Sequence, residues 1–417
     1  MKFRNLFLLL WLLTISFAAH AQFTYVTNNG TLTITGYNCP ITNVAVSIPS
    51  KINGLPVTVI KDHAFAACTN VKILSIPDSV SRLEPFAFYN CTGLTNVTIG
   101  KSVTSIGGYS FYGCTGLVNV AIPVSVNSVG PSAFRGCSRL SAIIVEDQNA
   151  AYCSVEGVLF SKTGGMLVQY PGGKTGSYTI PSTVNSIAVT SIGYNAFSLC
   201  AGLTGITIPG SVTSLWSGAF SNCGSLTNVA MATGVTKLDS FAFYGCGNLV
   251  NLEIPNSVSE IGPSAFADCG ALKTLVIGSG VTNLGDSVFY GCVSLAEVYF
   301  SSNAPSFGAS VFLDSDNVVV YYLPGTTGWG ATFADRPTAL WLPTVQGRDC
   351  GFGLKSHQFG FNINWAPDKT VVVEATTNSM NPIWTPVSTN VLTGGTSYFN
   401  DPQWTNYPSR LYRLRGQ

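Results

Sequence analysis

Nine cysteines recur in register at a spacing of 23 residues, and no other feature restricts the fold of this chain so tightly. Cys68, Cys91, Cys114 and Cys137 form one run; Cys200, Cys223, Cys246, Cys269 and Cys292 form a second. Three residues before each stands a phenylalanine: Phe65, Phe88, Phe111, Phe134, Phe197, Phe220, Phe243, Phe266 and Phe289. A fixed period in this range marks a solenoid in which each repeat is one turn of a coil. Such a coil offers an extended surface rather than a single pocket.

The unit is legible from Ile106: Ile106-Gly107, Ser110-Phe111, Cys114, Leu117, Val120, Ile122-Pro123, Val126. Equivalent units start at Ile60, Leu83 and Val129, then at Ile192, Leu215, Leu238, Ile261 and Leu284. Leu117, Val120 and Ile122 supply the L-x-x-L-x-L part of a leucine-rich repeat. Val120 and Ile122 are two apart, so they share one face of a strand while Asn119 and Ala121 face the other way. Pro77, Pro123, Pro209 and Pro255 end the strand because proline cannot donate a ladder bond. Gly107 to Cys114 is too short for a stable free helix. It reads as a helical or 3₁₀ turn that drops Phe111 and Cys114 inward. The expected fold is an α/β-type repeat solenoid, strand plus short helical turn, with each turn stable only against its neighbours.

Between Val129 and Ile192 the regular spacing fails. Val158 to Phe160 and Met166 to Tyr170 read as two strands joined by a glycine-containing loop, a hairpin expected to project from one altered turn. Thr31 to Pro56 reads as a divergent first turn with Val46-Ser47-Ile48 as its strand; terminal repeats are atypical because they cap the core. Past Phe300 the unit is expected to dissolve, with a closing strand at Asn317 to Pro324. This count gives about eleven strands, a sheet ~50 Å long at ~4.8 Å per strand.

These units, such as Ile192-Gly-Tyr-Asn-Ala-Phe-Ser-Leu-Cys-Ala-Gly-Leu-Thr-Gly-Ile-Thr-Ile-Pro, resemble the BspA-like leucine-rich repeats of bacterial surface and secreted proteins. Gly157-Val-Leu-Phe, Gln169-Tyr-Pro, Tyr178-Thr-Ile-Pro and the opening Ile48-Pro-Ser-Lys-Ile-Asn-Gly-Leu-Pro-Val match the same pattern. The resemblance covers roughly residues 30–340. It implies the fold, export and an interaction role, and some relatives adhere to host matrix proteins. It carries over no site residue.

Export is also written at the start. Lys2 and Arg4 precede the apolar run Leu6 to Leu13, and Ala19-His20-Ala21 gives the small-x-small pattern for cleavage after Ala21. That run is too short to span a membrane well. The expected organisation is a signal peptide at 1–21 and a solenoid at 22–342. Its regular repeats cover 60–145 and 192–300, and its altered turn covers 146–191. A separate small β-sandwich-like module follows at 343–417. In that tail Phe359, Phe361, Ile363 and Trp365 alternate with polar residues as a half-buried strand. Val371 to Val373, Val387 to Leu392 and Leu411 to Leu414 are further strand candidates.

Charged residues make up 9% of the chain and the formal charge is +1, which lacks the basic footprint of a nucleic-acid binder. The cysteines show no C-x-x-C pairing typical of metal sites. Equivalent cysteines on adjacent turns lie near 5 Å apart with parallel Cβ vectors, which favours buried thiols over disulfides. Cys39, Cys153 and Cys350 lie off the ladder and find no partner in this reading. Of the histidines, His20 goes with the signal, while His63 and His357 fall in different domains. His63 beside a cysteine ladder raises a Cys–His nucleophile pair, against which its turn position argues for surface. The carboxylates Glu253, Asp268, Glu297, Asp314 and Asp316 are scattered. Asp314-Ser-Asp316 lacks the rest of a calcium loop.

The concave strand face should expose Ile73, Ser75, Asn96, Thr98, Asn119, Ala121, Gly205, Thr207, Asn228, Ala230, Asn251, Glu253, Glu297 and Tyr299. Trp365, Trp384, Trp404, Tyr398 and Tyr407 in the tail are either a sugar-stacking platform or core, and packing favours core. The functional expectation is an exported, non-enzymatic, monomeric binding or adhesion protein with a protein or glycan ligand on the strand face. It has no catalytic, metal or cofactor residue to name. The alternative is a structural spacer displayed through the tail.

Overall fold

A computed structural model describes residues 22–42, 44–355, 358–377, 382–407 and 409–417. The proposed signal at 1–21 and His357 lie outside the described residues. The chain forms two compact units: residues 22–298 with 305–318 and 334–336, and residues 299–304, 319–333 and 337–417.

The architecture is a β-solenoid of leucine-rich-repeat type with about 13 turns, more than the eleven strands counted from sequence. Each turn contributes two strands. The first is the expected one: Val71–Ser75, Asn96–Thr98, Asn119–Ile122 and Ala142–Val145 align in parallel, with Asn96 opposite Asn119 and Asn119 opposite Ala142. The second was not anticipated. Two-residue strands at Arg82–Leu83, Ser105–Ile106 and Ser128–Val129 form another parallel ladder, repeated at Ser191–Ile192, Ser214–Leu215 and Lys237–Leu238. Hydroxyls tie this second ladder together. Thr104 Oγ1 donates to the Ser81 carbonyl at 3.1 Å, and Thr236 Oγ1 to the Thr213 carbonyl at 3.1 Å.

The segment between the two strands is not helical, so the fold is not α/β. Two residues in each unit have left-handed backbone: Phe86 and Asn90, Tyr109 and Gly113, Phe241 and Gly245, Ser264 and Asp268. A left-handed residue every four positions cannot propagate a right-handed helix. Its hydrogen bonds show why the chain accepts this. The N–H groups of Ala87, Tyr89 and Cys91 turn back to the carbonyls of Glu84, Phe86 and Phe88. Those of Phe86, Phe88 and Asn90 instead reach the next coil, donating to Gly108, Ser110 and Tyr112 at 3.1, 2.8 and 2.7 Å. Alternate donors thus serve the local turn and the stack, and no backbone group is left for an i to i−4 helix.

Inside, the phenylalanines form the expected column. Phe88 and Phe111 stack at 5.0 Å, Phe220 and Phe243 at 5.0 Å, and Phe243 and Phe266 at 5.4 Å, all fully buried. Two sequence expectations fail around this column. The pair Val158–Ser161 and Met166–Gln169 does not project: Val158, Leu159, Phe160 and Leu167 are buried, and Met166–Gln169 pairs in parallel with Ser191–Ile192. Tyr170 replaces the missing phenylalanine and stacks on Phe197 at 4.8 Å. Around Tyr170, from 166 to 175, the altered turn has no left-handed residue. Side chains bridge that gap, Arg135 Nε to Ser198 Oγ at 2.9 Å and Asn195 Nδ2 to Ser132 Oγ at 3.0 Å.

Nor does the unit dissolve at Phe300. Phe307 lies in register with Leu284, Phe312 stacks on Phe289 at 5.3 Å, and Ser315 occupies the next cysteine position. The replacement of Cys by Ser hid this turn.

In the second unit, Gln358–Asn364 pairs with Thr344–Gln346, Gly353–Lys355 and Thr396–Asp401. Thr370–Thr376 lies between Thr385–Val391 and Leu411–Gly416. The four strands read in the tail sequence are all present. Phe361, Ile363, Trp365, Val371, Val373 and Phe399 make the core. Two buried carboxylates are neutralised: Glu374 by Arg413 and Arg415 at 2.7 and 2.9 Å, and Asp401 by Arg410 at 2.6 Å.

Candidate functional site

The strand face carries the residues that alternate with the core. Asn96, Thr98, Asn119, Ala121, Thr207, Asn228, Ala230, Asn251 and Glu253 are exposed as expected, and Ser75, Glu297 and Tyr299 are half-buried. Gly205 is a correction: it is buried, because its missing side chain leaves the backbone beneath Ser177. The face also includes Ile144, 52% exposed, which with Ile73 at 49% provides its aliphatic points in the first run. Their alternation with Ile143 and Leu74 was a usable sequence signal. Cross-strand neighbours such as Asn96 and Asn119, or Asn251 and Thr274, set amide and hydroxyl groups side by side. Such a surface supplies hydrogen bonds and little charge. Among its described residues no acidic and basic side chains are paired.

The cysteine column is chemically quiet. Seven thiols donate to the carbonyl of the phenylalanine 26 residues earlier, among them Cys114 to Phe88 at 3.3 Å, Cys223 to Phe197 at 3.0 Å and Cys269 to Phe243 at 3.2 Å, while Cys200 reaches the Tyr170 carbonyl at 3.9 Å. Burial pushes the Cys137 and Cys292 thiols up to about 12, and it raises Cys114, Cys200 and Cys269 as well. Cys223 is raised first by its hydrogen bond with Cys246 and then by burial. A thiol held protonated is neither nucleophile nor metal ligand. Cys39, unpaired in the sequence reading, forms a disulfide with Cys68, with Cα atoms 5.2 Å apart. Cys68 is the first rung, and Thr42 stands 26 residues before it where later rungs have a phenylalanine. Cys153 and Cys350 are free, the former half-buried and the latter exposed.

His63 is exposed on a left-handed turn, stacked on Phe86 at 4.9 Å with Nδ1 3.4 Å from Asp62, and no thiol is its partner. Asp316 accepts from Arg336 at 2.9 Å. Among the described residues no group of three His, Cys, Asp or Glu side chains is placed to hold a metal ion.

The model of the BspA type leucine-rich repeat region matches residues 36–160 and 190–319, in six copies. The chain belongs to this BspA-type repeat family. The unmatched interval contains most of the altered turn, and the match runs through the turn of Phe312 that sequence reading missed. No curated protein matches this BspA-type chain. Among solved structures, the pneumococcal vaccine antigen PcpA is similar at 18% identity and a TM-score of 0.52, over 76% of this chain and 97% of that one. A leucine-rich repeat protein from Eubacterium ventriosum is similar at 21% identity and a TM-score of 0.50, over 71% and 93%. Both establish the fold of the BspA-type solenoid. A leucine-rich cell surface protein from Faecalibacterium prausnitzii shares 26% identity over 68% of this chain and 94% of that one, with a TM-score of 0.44.

In the tail following the BspA-type repeats, cations lie over three of the named aromatic rings, Lys355 over Tyr398 at 5.8 Å among them. Trp365 is buried, as core packing requires, and its Nε1 donates to the Trp341 carbonyl at 2.8 Å. The core reading fails for Tyr398 and Tyr407, which are exposed, while Trp384 and Trp404 are half-buried. Arg410 covers Tyr407 at 4.4 Å and Arg413 covers Trp384 at 4.7 Å, so a sugar ring would have to displace a guanidinium from either. Among the described residues no helix is long and apolar enough to cross a membrane.

Proposed function

We propose that this is an exported, non-enzymatic protein that binds a protein or glycan ligand at the cell surface or outside the cell. The observation that carries this reading is the strand face itself. It sets outward amide and hydroxyl groups in register on successive turns, on a scaffold whose interior is sealed. A long, nearly neutral surface of small polar side chains makes many weak contacts and no covalent chemistry. Membership in a family that includes bacterial surface proteins supports the location. So does the segment Lys2 to Ala21, with cleavage after Ala21. In this reading residues 343–417 act as a separate module, and no cofactor takes part.

The test is binding of the purified chain to immobilised matrix proteins and to a glycan array, alongside Asn119→Arg and Asn228→Arg. Retained affinity in both variants, or binding to nothing in either panel, defeats the proposal. Accumulation of the unprocessed precursor inside the cell defeats the export part.

A further inference from the structure

Away from the strand face, the left-handed segments of the first run build a second surface. His63, Phe86 and Tyr109 occupy equivalent positions, all with positive φ, and stack at 4.9 and 5.0 Å with planes within 7°. Beside them Tyr89 and Tyr112 stack at 5.1 Å, and the Arg135 guanidinium lies over the Tyr112 ring at 5.6 Å. These four tyrosine and phenylalanine rings are half-buried and His63 is exposed. Left-handed backbone costs a residue with a side chain about 1–2 kcal/mol, and the same positions elsewhere hold serine, glycine or asparagine (Ser132, Ser264, Ser287, Gly218, Asn195) apart from the lone Phe241, which has no aromatic residue at the equivalent position on either adjacent turn. Aromatic rings there are an expense that folding does not require.

We infer that this aromatic ladder is where a second copy of the chain docks, the two solenoids running antiparallel. Three relationships favour that occupant. Successive rings cover each other's faces, so the ladder offers edges rather than the open faces a sugar needs. Its ridges repeat at about 5 Å, the coil period, and a second copy carries ridges of the same period that can interdigitate along it. The ends are complementary in charge. Asp62 begins the ladder, 51% exposed, and Arg135 ends it with no carboxylate partner among the described residues. An antiparallel twofold pair brings the row of Arg135 over the row of Asp62 at both ends, as an isologous contact demands. The patch spans four turns, small against the ~1,600 Å² of a standard interface, so the dimer is weak.

Sedimentation equilibrium of the full purified chain at low salt, up to about 1 mM, reads this directly. The expected result is a monomer–dimer equilibrium weakened at least about tenfold by Asp62→Arg or Arg135→Glu alone and restored in the double exchange. Phe86→Gly separates docking from folding: it relieves left-handed strain, so it should leave the melting temperature equal or higher while abolishing association. A chain that stays monomeric throughout, or a double exchange no better than the single variants, overturns the inference. So does a Phe86→Gly chain that melts lower yet still dimerises.

Discussion

The Sγ of Cys91 donates to the carbonyl oxygen of Phe65 at 3.1 Å, across one coil, and the contact recurs on both sides of the altered turn, ending with Ser315 to Phe289 at 2.7 Å. The column position therefore requires a small side chain with a donor, and the serine at the last rung meets that requirement. Cys246→Ser is expected to retain most of the stability, because its hydroxyl can bond Phe220 as Cys246 does at 3.2 Å. Cys246→Ala loses both volume and donor and should cost about 1–3 kcal/mol. Thermal melts of the two variants check the order; alanine equal to or better than serine would show that the bond has no weight.

The phenylalanine column carries more. Phe243 is fully buried between Phe220 at 5.0 Å and Phe266 at 5.4 Å. Truncation to alanine leaves a void that neighbours fixed by their own repeats cannot fill, at a cost of about 3–5 kcal/mol. An unchanged melting temperature would rule out a stacked interior ring.

Much of this was legible in the sequence because period and side-chain type coincide. Phe and Cys at 23 residues mark the column, and Val120 with Ile122 marks a strand. What escaped notice depended on the backbone. The left-handed pair in each unit has no single residue signature: Phe86, Tyr109 and Ser264 adopt it as Gly218 does. The helical expectation for Gly107 to Cys114 failed there. Met166–Gln169 looked like a projecting hairpin because alternation alone does not say which sheet a strand joins. The strand face was read almost completely, since outward residues follow from parity. The aromatic ladder was missed because it lies on that unanticipated backbone.

Glycine choice on the turns tests the same geometry. Gly113 has φ of +69°, and a Cβ there would strike Oδ1 of Asn90 on the preceding coil. Gly224 has ordinary φ and nothing within 4 Å of such an atom. Gly113→Ala should therefore destabilise by at least about 1–2 kcal/mol, partly recovered by Asn90→Gly, whereas Gly224→Ala should be neutral. Equal melting temperatures for the two alanine variants would contradict the left-handed assignment.

Alkaline pH should unfold the solenoid through its thiols. Cys114, Cys137, Cys200, Cys223, Cys269 and Cys292 all have native values raised above 9.0. The unfolded chain releases these protons first, so stability is intact below about pH 9 and falls as pH climbs toward 12. Each such thiol contributes a slope of about 1.4 kcal/mol per pH unit. Melting temperature against pH, in wild type and in Cys137→Ser, measures it. A profile flat from pH 8 to about pH 11 would mean the sulfurs reach solvent.

Counting thiols tests the column and its first rung together. Within the column, sulfurs on adjacent coils sit on parallel Cβ vectors and each is committed to a carbonyl, so neighbours have no reason to bond. Cys68 differs because the chain before it is the capping segment, and Cys39 approaches from there to close a separation of 29 residues. In the chain-entropy model a loop of that size stabilises by about 3–4 kcal/mol. Denatured without reductant, the chain should titrate the ten cysteines free in the structure, and all twelve after reduction. Cys39→Ser should expose Cys68 as an eleventh thiol and lower the melting temperature to that of the reduced protein. Fewer than ten thiols in the first titration would mean column cysteines are paired. Twelve would mean the first rung is open, and the capping segment would then be held only by its strand pairing and packing.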